Sequence, residues 1–494
     1  MLGFLGITVS ILAQQNPKYE FRAVWIATVD NIDWPIRGDY NPASQRAEFI
    51  RQLNMHQQNG MNAMIVQIRP AADAFYPSEY EPWSQWLTGT QGKAPSPFYD
   101  PLKFMIEETH KRGMEFHAWL NPYRANFNIK SASIAPNHIT RQHPEWFLTY
   151  GTTKYFDPGN KDAQDFVVKV VRDIVRRYDV DAIHMDDYFY PYRIPGKDFP
   201  DDKSFAQYGN GMSRDDWRRA NVDSIILKLS DAIKAEDPYC QFGISPFGVW
   251  RNNDKDPEGS PTQAGQTNYD DLYADILLWL KEKWIDYVAP QLYWEMGHRI
   301  VAFETLIDWW SKHTYGRHMY IGQGIYKTGE RNASWKDPDQ LPAQIRLIRT
   351  YPDQIQGSIY FSSKTFNTNP NGWNDSLQNH YYSTPALIPP MSWIDSDRPP
   401  QPSVVTEQAT PYDNSIKITV TPPESIKRIK AYVIYRFDAK DEVRNMDMSF
   451  NIYKIIPSGD PFSLVLPLWV TQNHAIAISC VNATNNESEL MYID

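Results

Sequence analysis

Between residue 21 and about residue 387 the sequence repeats one unit eight times, a short apolar run followed by a longer amphipathic one. The apolar runs are Phe21–Ala27, Asn62–Arg69, Glu115–Asn121, the stretch opening at Asp181, Gln241–Phe247, Tyr287–Trp294, His318–Gly324 and Gly357–Ser362. The segments between them read as helices at 46–58, 101–112, 162–178, 215–235, 271–284, 301–313 and 341–350, with a last helix near Ser376. Strands that alternate with helices pair in parallel, because each helix is the crossover that returns the chain to the next strand. Eight such units predict an α/β fold, a closed (β/α)8 TIM barrel. The helix-to-strand turns are short, as at Arg112-Gly113-Met114 and Tyr178-Asp179-Val180, whereas long loops follow strands two, three, four and five. Long insertions on one rim place the functional face at the C-terminal ends of the strands.

The fourth run, Asp181-Ala182-Ile183-His184-Met185-Asp186-Asp187-Tyr188-Phe189-Tyr190-Pro191, is the most informative. Side chains alternate along a strand, so His184, Asp186 and Tyr188 share a face opposite Ile183 and Met185. Burying a carboxylate is costly, so two adjacent acids belong where the strand emerges into a cleft. Turning the aliphatic positions of each strand toward the helices directs Gln67 and Arg69, Trp119 and Asn121, Gln291, Tyr293 and Glu295, and Ser358, Tyr360 and Ser362 into the barrel. Acids, amides, one Arg, Tyr and Trp then converge on one mouth, an inventory suited to a carbohydrate. Glycoside cleavage needs two carboxyl groups about the scissile bond. Asp186 is expected as nucleophile or general base. Glu295, its pKa raised by burial near Trp294, or failing it Asp187, is expected as general acid. Arg69, Trp119, Asn121, His184, Tyr188, Gln291 and Tyr293 are expected to hold the sugar and the carboxylates. His184 has two further readings, a core histidine or a partner that orients Asp186, and Arg69 could simply neutralise the acid pair.

Composition narrows the partners. The net charge of −10 argues against nucleic acid and anionic membrane surfaces, both of which need a basic face. The 17 Trp and 30 Tyr exceed what packing requires and suit rings that stack on sugars. His117, His143 and His184 lack metal-motif spacing, so neither a metal nor another cofactor is expected. Cys240 and Cys480 fall in different predicted domains, so no structural disulfide is expected.

Phe21-Arg22-Ala23-Val24-Trp25, Gln67-Ile68-Arg69-Pro70, Ala118-Trp119-Leu120-Asn121-Pro122-Tyr123-Arg124, the Asp181–Pro191 stretch and Ala289-Pro290-Gln291-Leu292-Tyr293-Trp294 together resemble the bacterial glycosyl-hydrolase-like family 10. The resemblance spans roughly residues 20–387. It implies a (β/α)8 barrel, glycosidase activity and export to the cell envelope, with cell-wall glycan as one kind of substrate. Strand four also resembles that of family-18 chitinases, which end it in a catalytic Glu. Tyr188 occupies that place here and His184 replaces one of the acids, so an Asp acting as nucleophile or base fits better than a chitinase-type, substrate-assisted mechanism. Two readings compete with hydrolysis: a non-catalytic glycan-binding barrel, which the missing Glu supports, and a metal-dependent hydrolase or deacetylase using Asp186, Asp187 and His184.

The barrel is expected over 18–388. Pro389, Pro390, Pro399, Pro400 and Pro402 mark a stiff linker at 389–402. Short alternating runs without a helix then predict a small all-β sandwich at 403–494. In it Tyr432-Val433-Ile434-Tyr435-Arg436 and Ala477–Asn482 resemble fibronectin type III strands, which implies a spacer or docking module without chemistry of its own. Leu2–Ala13 is apolar and of signal-peptide length, so residues 1–17 are expected to be a signal peptide directing export to a bacterial periplasm or cell surface. No later run reaches the length of a membrane span.

Overall fold

A computed structural model describes residues 15–129, 134–330, 332–409, 415–424, 428–440 and 444–493. Most of the expected signal peptide therefore lies outside the described residues. Eight parallel strands close into a ring: β1 (Phe21–Ile26), β2 (Ala63–Arg69), β3 (Glu115–Leu120), β4 (Ala182–Met185), β5 (Gln241–Ile244), β6 (Tyr287–Val288, resuming at Gln291–Leu292), β7 (His318–Gln323) and β8 (Gly357–Tyr360). Closure is made by β1 against β8, with Phe21 opposite Gly357 and Val24 opposite Tyr360. Sequence order is ring order, as in a TIM barrel. β6 is broken because Pro290 has no N–H to donate to the ladder.

The helices start where the sequence supplies a cap. The Asn41 side chain accepts the Ala43 N–H at 2.8 Å ahead of helix Pro42–Gln58. Asn160 caps Lys161–Arg177 and Ser213 caps Arg214–Glu236, each satisfying an N–H that the first turn leaves unpaired. The helix expected at 271–284 is two short pieces, Asn268–Asp271 and Ile276–Lys281, separated at Tyr273, whose φ is 55°.

Along the strands Val24, Ile26, Met64, Val66, Ile183 and Met185 pack outward onto the helices. Phe21, Trp25, Ile65, Trp119, Tyr287, Tyr320 and Ile359 fill the interior. The inward faces expected for strands two, three, four and six follow this alternation up to Tyr293. That of strand eight does not. Ile359 points inward, and Tyr360 points out, its hydroxyl 2.6 Å from that of Tyr382. The interior layer beside Phe21 and Trp25 is apolar, and the Tyr360 hydroxyl has a polar partner on the outside.

The C-terminal region is two antiparallel sheets. β9 (Ser403–Gln408), β10 (Ile416–Thr421) and β13 (Phe462–Leu466) form one, in the order β9-β10-β13. β11 (Ile429–Asp438), β12 (Ile452–Ile456), β14 (His474–Asn482) and β15 (Met491–Ile493) form the other, in the order β12-β11-β14-β15. The two share a core of Ile418, Val420, Tyr432, Ile434, Leu466 and Ile478. This module docks under the barrel, at the N-terminal ends of its strands. Lys430 pairs with Glu115 at 2.5 Å, Arg428 with Asp179 at 2.5 and 2.7 Å, and the Trp393 indole donates to Asp286 at 2.9 Å. Burial alone would raise the Glu115 carboxyl, but Lys430 and His117 hold it well below the usual carboxylate range. Both cysteines are free and buried.

Candidate active site

The site is built where β4 ends. Asp186 and Asp187 are 4% and 3% exposed, so both carboxyls sit inside the mouth and not on its lip. Asp186 is held by its neighbours on β3. The Trp119 indole N–H donates to Oδ2 at 3.1 Å, and the Asn121 amide donates to both oxygens at 3.1 Å. The Tyr188 backbone N–H adds a longer contact at 3.4 Å. These contacts follow from register: Trp119 lies beside His184 across β3 and β4, so the residues that continue the same faces, Asn121 and Asp186, meet one layer higher. Burial raises the Asp186 carboxyl, and the Arg124 charge with the Asn121 and Trp119 donors opposes the rise.

Asp187 has a different environment. The Tyr192 hydroxyl donates to its Oδ2. Burial, reinforced by the charge of Asp186, pushes its pKa up to about 7, against the pull of Tyr192 and Gln291. Two adjacent carboxyls in unlike settings are therefore divided. The Asp187 carboxyl is pushed up to about 7, and Asp186, also raised by burial, has the Arg124 charge and the Asn121 and Trp119 donors favouring its charged form.

The other expected residues divide into those at the mouth and those elsewhere. Gln291 donates to the Ser245 carbonyl at 2.8 Å and also supports Asp187. Tyr293 stands within the field of both aspartates and Tyr188. The Tyr188 ring lies 4.7 Å from the Arg124 guanidinium. His184 belongs to the floor. Its Nε2 lies 3.2 Å from the Trp25 indole nitrogen and 3.0 Å from the Ser245 hydroxyl, and its Nδ1 lies 2.8 Å from the Tyr287 hydroxyl. Burial, with His117 nearby, pushes its pKa well below the ordinary histidine value, which makes it a neutral core histidine. Its hydrogen bonds go to Trp25, Tyr287 and Ser245, and none of them to Asp186.

Arg69 does not meet the acid pair either. It is fully buried, forms a two-pronged pair with Glu81 at 2.6–3.0 Å and donates to the Asn121 carbonyl at 2.6 Å. It therefore braces the backbone that presents Asn121. Glu295 stands out on the rim, where it accepts from the Asn332 amide at 2.9 Å. Burial would raise it, but Asn332, its own backbone N–H and His298 leave its pKa lowered, the opposite of what a general acid there requires.

Two residues join the site without having been singled out from the sequence. Arg124 is 7% exposed, and its backbone N–H donates to the Asn121 Oδ1 at 2.8 Å, so one amide fixes both Asp186 and Arg124. Its only signal was membership of the Asn121–Arg124 run. Tyr192 lies five residues past Asp187, in an aromatic loop in which no spacing marks the ring that folds back. Tyr192, Phe247 and Trp294 form a chain of edge-on ring contacts at 6.3 and 5.5 Å that extends the mouth toward β6.

A profile of the family described as glycosyl hydrolase-like 10 matches residues 20–339, which include Asn121, Arg124, both aspartates, Tyr192 and Tyr293. The chain belongs to that family. The glycosyl hydrolase YngK of Bacillus subtilis (strain 168) is 47% identical over 449 residues, 90% of this chain and 88% of that protein. The glycosyl hydrolase DigH of Escherichia coli (strain K12) is 38% identical over 381 residues, 72% of this chain and 85% of that protein. Among solved structures, alpha-L-fucosidase isoenzyme 2 from Paenibacillus thiaminolyticus aligns with a TM-score of 0.47 at 12% identity, over 74% of this chain and 49% of that one. The glycosyl hydrolase-like 10 match stops short of the C-terminal sheets, so the site and the family signature belong to the same module.

Proposed function

We propose that this protein is an exported glycoside hydrolase that cleaves O-glycosidic bonds of an oligo- or polysaccharide, with bacterial cell-wall glycan as the leading substrate. Asp187 is the general acid that protonates the leaving oxygen. Asp186 is the charged partner that faces the positive charge developing at the sugar. The observation that carries the reading is the unlike setting of the adjacent pair: Asp187 is buried against the Tyr192 hydroxyl, which leaves its pKa pushed up to about 7, while Asp186 accepts from Trp119 and Asn121. A catalytic acid is most effective when its pKa lies near the working pH. Membership of the glycosyl hydrolase-like 10 family supports the reaction class. The apolar run Leu2–Ala13 supports export. The sandwich at 403–494 serves as a fibronectin type III-like support with no part in the chemistry.

The test is turnover of soluble glycan fragments, cell-wall oligosaccharides among them, by wild type, Asp187→Asn and Asp186→Asn. Each variant is expected to lose on the order of a thousandfold in kcat with an unchanged melting temperature. Near-normal turnover in either would remove that residue from the mechanism. Sugar binding without any cleavage by the wild type would make the barrel a glycan-binding module.

A further inference from the structure

The Arg69–Glu81 pair bonds to neither aspartate, yet a chain of hydrogen bonds joins it to Asp186. Both side chains of the pair are fully buried. The desolvation cost of such a pair roughly cancels its attraction, so burial alone is weak evidence that it is there for stability. The contacts that Arg69 makes beyond Glu81 are more informative. Its Nη1 donates to the Asn121 carbonyl at 2.6 Å and to the Pro122 carbonyl at 3.3 Å. Its own carbonyl accepts the Asn121 N–H at 3.0 Å. One residue therefore holds both backbone polar groups of Asn121. The strand pairing allows this. The ladder between β2 and β3 slips between Gln67 and Arg69, with Gln67 opposite Trp119 and Arg69 opposite Leu120. An irregularity of this kind re-aims a side chain, and here the guanidinium meets two backbone carbonyls and Glu81. The side chain of Asn121 is fixed as firmly. Its Oδ1 accepts the Arg124 N–H at 2.8 Å, so Nδ2 must face Asp186, where it reaches both oxygens at 3.1 Å. Every polar group of Asn121 is engaged. Glu81 comes from the loop after β2, which is closed on itself: the Ala74 N–H donates to the Pro82 carbonyl and the Ala74 carbonyl accepts from Ser84, each at 2.9 Å.

We infer that Arg69 and Glu81 are positioning residues for the reaction: the pair fixes Asn121, and Asn121 fixes the Asp186 carboxylate. The inference rests on the hydrolase reading of Asp186. A guanidinium suits the task because its N–H groups form a rigid planar fork. Nε and Nη2 take the two Glu81 oxygens at 2.6–3.0 Å, which leaves Nη1 aimed at the Asn121 carbonyl. Glu81 thus sets the rotation of the guanidinium, and the guanidinium sets the height of Asn121 above the strand end. A lysine ammonium is a point charge without that fork and cannot hold both ends at once. The chemistry at β4 therefore depends on an acid in the loop after β2 that never meets the sugar. A misplacement of about 1 Å in a reacting group can cost about a hundredfold in rate, so loosening this pair should be felt in kcat.

The test separates a lost position from a lost fold. Glu81→Gln, Arg69→Lys and the double variant Arg69→Met with Glu81→Leu are compared with wild type on soluble cell-wall glycan fragments. Each single variant weakens a buried pair and should lower the melting temperature, whereas the double variant removes both charges and should recover most of that loss. Its kcat should nonetheless stay about a hundredfold below wild type, with KM within about threefold, since nothing replaces Nη1 on Asn121. The acid limb of kcat/KM should move up by about half a pH unit, because a loosened Asn121 amide favours the charged carboxylate less. Recovery of wild-type kcat along with the melting temperature would make the pair purely structural and overturn the inference. A lowered kcat with the acid limb in its wild-type place would overturn it too. NMR titration with carboxyl-labelled aspartate, the Asp186 signal assigned from Asp186→Asn, reads the same coupling without turnover. The Asp186 pKa should be higher in the double variant than in wild type, and equal values would sink the inference. A wild type that cleaves no glycan would remove the hydrolase reading, and the NMR titration would still decide whether the pair positions Asp186.

Discussion

Replacing Tyr192 by Phe removes one donor from Asp187 and little else. The hydroxyl donates to Oδ2 of a carboxyl that is 3% exposed. A hydrogen bond to a charged group contributes roughly 1.5–3 kcal/mol. The Tyr192 ring is 37% exposed, so water partly replaces what is lost and the lower half of that range applies. One pH unit corresponds to about 1.4 kcal/mol. Tyr192 stabilises the ionised carboxylate, so its loss favours the protonated form and raises the Asp187 pKa from about 7 by about one unit. An acid that keeps its proton longer moves the alkaline limb of kcat/KM upward. The assay is kcat/KM against pH from 4 to 10 for wild type and Tyr192→Phe, since this profile reports the free enzyme. The acid limb, set by ionisation of Asp186, should stay within about 0.3 of its wild-type position. An alkaline limb that stays put or moves down, in a variant with an unchanged melting temperature, would refute Asp187 as the acid.

Glu295→Gln should leave kcat within about twofold of wild type, because its partner is Asn332 and not the aspartate pair; steady-state kinetics on the same substrate checks it, and a hundredfold loss would return Glu295 to the mechanism. Lys430→Met should lower the unfolding free energy by about 2–3 kcal/mol at pH 7, because it strands the buried Glu115 carboxylate. The figure is below that for a fully buried pair because the Lys430 side chain is 20% exposed. The folded-state pKa of Glu115 is depressed, so the difference from wild type should be present above the ordinary glutamate pKa and shrink as pH falls below it, as urea denaturation at pH 7 and pH 3 would record.

The barrel was legible because its signal is repetitive: eight apolar runs at helix-sized intervals leave few other folds. Most of the mouth was legible too, since alternation along β2, β3, β4 and the first part of β6 directs Gln67, Asn121, Asp186 and Gln291 as the sequence implies. Polarity misled where a partner was hidden. Tyr360 was placed in the barrel because it is polar, but its hydroxyl is satisfied outside by Tyr382. Arg69 was expected to hold the sugar and the carboxylates, but Glu81, twelve residues on in a loop of no periodicity, pairs with it. Glu295 continues the alternation of β6 past the point where the strand has ended, so its parity no longer fixes its direction. Arg124 and Tyr192 come from loops, where sequence distance says little about which side chain returns to the mouth.

The module under the barrel is fastened through Glu115, Asp179 and Asp286, all at strand starts, to Lys430, Arg428 and Trp393. The residues around the two aspartates lie at strand ends and in the loops beyond them. A change that reshapes the mouth need not touch a fastening residue, whereas a change at Glu115 must be answered by one at Lys430. Selection for a new glycan and selection for a firmer molecule therefore act on separate sets of positions, and the loops after β2, β3, β4 and β5 can be exchanged between relatives without reopening the joint below.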